Sequence, residues 1–122
     1  FDVGQIDRAF DLVLATDAPV PVAWPAIAGF FERGATRTAA WKSLRARVPK
    51  LLARLTGVQA GMVVEITAVL CDRTSRDEVA ATFEPHVSDV FDGRRLLDHS
   101  LSVIDRCIAR RTRAGDIAGA LH

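Results

Sequence analysis

Trp41, Leu44, Val48, Leu51 and Leu55 follow one another at spacings of three, four, three and four. Only an α-helix, with about 3.6 residues per turn, brings such a series onto one face. The same period recurs along the chain. Ile6, Phe10 and Val13 predict a first helix, with Asp2 as its cap and Gln5 three residues on. Prolines in TDAPVP, residues 16–21, break the chain after it. Trp24, Ile27 and Phe31 predict a second, short helix that starts near Pro21 or Pro25, since a first turn tolerates proline. Gly34 is its expected stop.

Thr36 is expected to cap the third helix, and Pro49 inside the stripe predicts a kink or a short break. Gly57 and Gly61 bracket an expected loop. Val63, Ile66 and Leu70 mark a fourth helix, although MVVEITAVL is β-branched enough to read as a strand. Helix is preferred because the chain offers no second strand to pair with it, and a lone strand is unstable. SRDE at residues 75–78 reads as a capping box, Ser75 bonding the amide of Glu78 and Glu78 reaching back to the cap. Val79 and Phe83 face inward on this fifth helix, which Pro85 ends. Gly93 opens a last long helix with Leu97, Leu101, Ile104 and Ile108 on one stripe. Arg106, Arg110, Arg111 and Arg113 then fall in its final turns, where cations suit the negative end of the helix dipole. Asp116 is expected to cap one last turn to Leu121.

The fold class is therefore all-α. About six antiparallel helices joined by short connections suit a bundle-like or superhelical array of the HEAT or armadillo kind, without an exact internal repeat. At 122 residues the chain is one domain, long enough to bury a core. A composition of 49% apolar and 25% charged residues is globular rather than disordered. The net charge is +1, which argues against a dedicated nucleic-acid binder. No apolar run approaches the roughly 18–20 residues of a membrane span, and no signal peptide is visible. The chain begins at Phe1 rather than Met, so the natural N-terminus is expected to lie upstream, and cytoplasmic and exported locations both stay open.

The two cysteines, Cys71 and Cys107, form no C-x-x-C pair. Their default reading is two small buried apolar side chains. A disulfide is the alternative, favoured if the protein is exported. His86, His99 and His122 have no ligand-like neighbour at helical spacing, so none is read as a metal ligand. His99 lies off the Leu97/Leu101 stripe, and His86 follows Pro85 in a turn. There is no nucleophile elbow, P-loop or dinucleotide fingerprint. Glu65, Asp77 and Glu78 read as caps and solvated carboxylates.

Residues 36–55, TRTAAWKSLRARVPKLLARL, carry six cations and no acid. At about 100° per residue, Lys42, Arg47, Lys50 and Arg54 fall opposite the apolar stripe, and Arg45 flanks it. This amphipathic pattern reads first as a solvated face. It also leaves room for a surface that lines a cavity, meets another domain, or lies on anionic lipid.

Three stretches carry a family resemblance: TRTAAWKSLRARVPKLLARLTG, ITAVLCDRTSRDEVAATFEP and GRRLLDHSLSVIDRCIARR. In this order they are similar to the C-terminal helical domain of the aminopeptidase N family of zinc peptidases, the endoplasmic-reticulum-aminopeptidase-like domain. The matching positions are Trp41, Leu52, Cys71-Asp72, Glu78-Val79, Phe83, Leu97, Leu101, Ile104 and Cys107, and residues 2–21 resemble the preceding family segment. Ser102 stands where the family usually has Glu, Thr82 replaces the first of two Phe, and Arg47 sits where Asn is common. The resemblance implies an α-helical superhelix, a C-terminal piece of a larger chain, that stabilises the catalytic domain and walls off its peptide cavity. Zinc and the catalytic motifs are then expected in that earlier domain, with no catalytic or metal residue and no cofactor in this chain. Its partners would be the parent's catalytic domain and, indirectly, peptide substrates. Arg45 and Arg47 are the candidates for contact with a peptide's C-terminal carboxylate. The alternative is a free-standing helical interaction module.

Overall fold

Ile6, Phe10 and Val13 share one face of a helix, α1 (Val3–Leu14), and all three are buried. The same rule builds α2 (Val20–Glu32), α3 (Gly34–Arg54), α4 (Val58–Glu65), α5 (Arg73–Phe83) and α6 (Gly93–Ala120). Short 3-10 turns follow α4 at Ile66–Val69 and α5 at Glu84–Asp89. The structure, a computed structural model, describes residues 3–15 and 20–120, and no strand occurs among them. The protein is all-α. The expected cap Asp2, most of the expected break before α2, and Leu121 and His122 lie outside the described residues. No helix among the described residues is long and apolar enough to cross a membrane.

Helices α1, α2 and α3 pack on one another, whereas α6 is the hub against which α4, α5 and both 3-10 turns lie. The two groups meet where α3 packs on α4 and α5 and where α2 touches the first 3-10 turn. One core runs through both, and its large, fully buried members include Trp41, Phe10, Phe31, Phe83, Leu97 and Ile104. Leu52, Leu101 and Ile108 pack against it while partly exposed. Trp41 and Phe83 lie with ring centroids 6.4 Å apart, linking α3 to α5.

The periodic stripes of the sequence are the buried faces, but the punctuation between them differs from expectation. Gly34 opens α3 instead of stopping α2; the stop comes from Arg33, whose backbone is extended. Thr36 is no cap. It is buried in the first turn of α3, and its hydroxyl donates to the Phe30 carbonyl at 2.7 Å. Arg37 donates to the carbonyls of Phe31 at 2.7 Å and Glu32 at 2.8 Å. The last carbonyls of α2, which no helical amide can reach, are thus satisfied from α3. Pro49 neither breaks nor ends α3. Both Pro49 and Arg45, whose carbonyl loses its helical donor, are exposed, so water can serve that carbonyl.

Gly61 lies inside α4 rather than in a loop, and Leu96 of α6 closes over it. The capping box is displaced by one turn: Asp72 caps α5, accepting from the Ser75 amide at 2.9 Å, and Ser75 itself is buried. At the far end α6 continues through Asp116 to Ala120, so Arg106, Arg110, Arg111 and Arg113 do not mark its last turn.

The default reading of two separate thiols is also overturned. Cys71 and Cys107 form a disulfide with a Cα–Cα distance of 5.4 Å. Cys107 stands one turn beyond the buried Ile104 on the inner face of α6, where the chain entering α5 passes. Residues 36 apart in sequence carry no local signal of that approach.

Candidate functional site

The basic helix α3 is where the chain concentrates its cations, and each turn reaches a different neighbour. Trp41 and Arg45 are four residues apart and so lie on one edge of α3. The Trp41 indole Nε1 donates to Glu78 Oε1 at 2.9 Å, and Arg45 Nη1 donates to Glu78 Oε2 at 2.7 Å. One carboxylate of α5 therefore holds a buried indole and a half-exposed guanidinium together. Glu78 is not the capping partner that the SRDE motif predicts.

Ser43 and Arg47 are also four apart, on the α1 side. They face Asp7 and Asp11, again four apart, on α1. Ser43 Oγ donates to Asp7 Oδ1 at 2.5 Å, Arg47 Nη1 to the same oxygen at 3.4 Å, and Arg47 Nε to Asp11 Oδ1 at 3.4 Å. Arg47 Nη1 also donates to Ser43 Oγ at 2.8 Å, and its guanidinium lies 5.9 Å from the centre of the Phe10 ring. Two helices with matched i, i+4 spacing thus present a polar lattice to each other. Further along α3, Arg54 Nε donates to the Val13 carbonyl at 2.5 Å and caps the end of α1.

Arg45 and Arg47 do not act as a pair. Two residues along a helix is about 200° of rotation, so they stand on opposite sides of α3. Arg45 faces α5. Arg47 stands on the wall of an open cleft of about 660 Å³ between α1 and α3, with Asp7, Lys42 and Ser43 beside it. Lys42 has no hydrogen-bond or ion-pair partner among the described residues. The solvated-face reading of α3 holds for Lys42 and Lys50, which are exposed, and fails for Arg47 and Arg54, which brace α1.

Two arginines elsewhere do the same. Arg76 binds Asp105 through Nε at 3.0 Å and Nη2 at 3.4 Å, tying α5 to α6. That hydrogen bond raises the Arg76 pKa further above its ordinary value. Arg94 bridges Glu84 and Asp98, and the hydrogen bond to Glu84 raises its pKa likewise. Among the described residues no buried side-chain nitrogen or oxygen lacks a partner. The interior polar side chains of those residues are thus paired within the chain itself.

His86 Nδ1 lies 3.3 Å from Asp89 Oδ2, a contact within one turn, and His99 is exposed on α6. No three His, Cys, Asp or Glu side chains of the described residues come together in a metal-binding group. Sequence reasoning missed Asp7, Asp11 and Glu78 as the partners of α3, and Ser43 as a member of its α1-facing edge. The one visible signal was the matched i, i+4 spacing of Asp7 and Asp11, which does not name its counterpart. No protein-family model, curated protein or solved structure matches the chain.

Proposed function

We propose that this chain is a non-catalytic helical scaffold, the C-terminal domain of a zinc aminopeptidase, which stabilises its parent and helps to wall off the peptide cavity. The observation that carries the scaffold reading is the internal use of α3: Arg37, Arg45, Arg47 and Arg54 each bind a carbonyl or carboxylate of α1, α2 or α5. Polar groups spent on joining helices are the chemistry of a rigid wall rather than of a reaction centre. The aminopeptidase part rests on the collinear sequence resemblance, whose positions Trp41, Phe83, Leu97 and Ile104 are core residues. Zinc belongs to the parent's catalytic domain in this reading, and the superhelical form of the family is the expected arrangement beside it. A peptide carboxylate would meet Lys42 and Arg47 at the α1–α3 cleft, while Arg45 remains with Glu78.

The test is hydrolysis of amino-acid amides by the full-length product of the gene that encodes this segment. Chelator-sensitive activity in that product, with none in the 122-residue chain, supports the reading. A full-length product without it refutes the parent assignment. Within an active parent, Lys42→Glu with Arg47→Glu should alter the dependence on peptide length and end group, and Arg45→Glu should not.

A second reading, a helical interaction module, is favoured by Phe91 and Val58. They are 80% and 81% exposed and lie on the rim of a cleft of about 190 Å³ beside Gly61 and Leu96. Large apolar side chains left in water at one place suit a contact surface. A stable complex of the isolated chain with a protein other than its parent would favour this reading.

A further inference from the structure

From residue 109 onward every described residue of α6 is exposed. The last side chain to reach back is Arg111, whose Nη1 donates to the Cys71 carbonyl at 3.3 Å. Beyond that point the helix projects from the body as an arm. On it, Arg106, Arg110, Arg113 and Ile117 recur at spacings of four, three and four, which confines them to one arc of the helix. The three guanidinium groups make a row about 10 Å long, at about 1.5 Å of rise per residue. Ile117, 62% exposed, continues that row.

Most arginines with a described partner are used within the chain itself. Arg37, Arg45, Arg47, Arg76, Arg94 and Arg95 all hold an oxygen of their own chain. Arg106, Arg110 and Arg113 hold none among the described residues. Nor do they serve the helix dipole, because α6 runs on to Ala120. Like charges at these spacings instead weaken a helix by about 0.2–0.5 kcal/mol per pair. The arm has little else to hold it. Gly115 and Gly119 have no atom within 4 Å of where a Cβ would stand, so neither exists for close packing within the chain. Each is a poor helix former at that position, and short unpacked helices are marginal.

We propose that the Arg106–Arg110–Arg113–Ile117 face of α6 is a docking surface for an acidic helix of a protein partner. The partner would set carboxylates against the three arginines and an apolar contact against Ile117. The forked guanidinium matches a carboxylate, and three such bonds turn the repulsion along the row into attraction. A phosphate polymer would use the arginines and leave Ile117 idle. The overall charge of +1 offers such a polymer no wider basic field. This inference stands on α6 alone and does not depend on the aminopeptidase reading.

The probe is a fluorescent amphipathic helical peptide with glutamates at i, i+4 and i+7 and leucine at i+11, titrated against the 122-residue chain at low salt. Its glutamine counterpart, heparin and phosphatidylserine vesicles are the comparison ligands. The glutamate peptide should bind and should slow amide exchange over residues 109–120. The triple change Arg106→Gln, Arg110→Gln and Arg113→Gln should weaken binding about tenfold or more, and Ile117→Ser about threefold. Lys50→Gln should leave it unchanged. Thermal midpoints of all variants should match the parent, because the arm lies outside the core. Absence of binding, equal binding of the glutamine peptide, or a triple variant that binds like the parent overturns the proposal. Tighter binding to heparin or vesicles than to the peptide overturns the choice of a protein partner.

Discussion

Replacing Glu78 by alanine removes the acceptor of the Trp41 indole and the counterion of Arg45 in one step. The two losses differ in size. Trp41 is 1% exposed, so its N–H would remain in the interior without a partner, which costs about 1–3 kcal/mol. The Arg45 and Glu78 side chains are 46% and 31% exposed, and a pair this wet contributes about 0.5 kcal/mol at most. Glu78→Ala should therefore destabilise by about 2 kcal/mol. Glu78→Gln keeps an oxygen for Trp41 and gives up only the ion pair, at about 0.5 kcal/mol. A domain of this length has an unfolding entropy of roughly 0.26 kcal/mol per degree, so the melting temperatures should fall by about 8 and 2 °C. Thermal unfolding followed by far-ultraviolet circular dichroism reads both. Arg45→Ala should behave like Glu78→Gln, and salt at about 0.5 M should remove most of the difference between either and the parent. Equal losses for the alanine and glutamine variants would refute the assignment of the stability to the indole hydrogen bond. So would an Arg45→Ala loss as large as that of Glu78→Ala.

Other expected outcomes follow from the same contacts. Opening the Cys71–Cys107 bond, by reductant or by Cys71→Ser with Cys107→Ser, frees a loop of 36 residues and should cost about 4 kcal/mol in denaturant titration on the chain-entropy estimate. An unchanged midpoint under reductant would count against the bond. Such bonds persist in oxidising compartments, so production there should raise the yield of folded chain over a reducing cytosol. Gly93→Ala should destabilise, because its Cβ would stand 2.2 Å from the Val87 carbonyl oxygen, a backbone atom that cannot step aside. Gly61→Ala should be near neutral, since the Cβ meets only the tip of Leu96 at 2.9 Å and alanine is the better helix former. A larger loss at Gly61 than at Gly93, measured by thermal unfolding, would contradict both. Arg47→Ala should loosen α1 by about 1 kcal/mol, seen as faster amide exchange over Val3–Leu14 with little change in α6.

The boundaries were less legible than the helices themselves, and Thr36, Ser75 and Asp116 show why. Each is a residue type that caps helices, and each lies in the right neighbourhood. Capping, however, requires an extended backbone at the cap residue, and that conformation falls to Arg33 and Asp72 instead. Once Asp72 takes the cap, Ser75 supplies the amide that it binds, and Glu78 is released to reach Trp41 and Arg45. The candidate site was half visible for the same reason. Arg45 and Arg47 stood out by charge, but their partners lie 33 to 40 residues away.

Spacing by itself determined that Ile6, Trp41, Leu44, Val48, Phe83, Leu97 and Ile104 would be buried on helices. A three- or four-residue period survives any arrangement of the helices, because it expresses which face must leave water. The tertiary structure alone decided that Cys71 meets Cys107, that Arg47 braces α1 while Arg45 binds α5, and that the end of α6 stands free. Long polar side chains and thiols have no period of their own. They take whichever partner the packed apolar faces bring within reach, and that partner is chosen by the neighbouring helix rather than by the residues beside them in the chain.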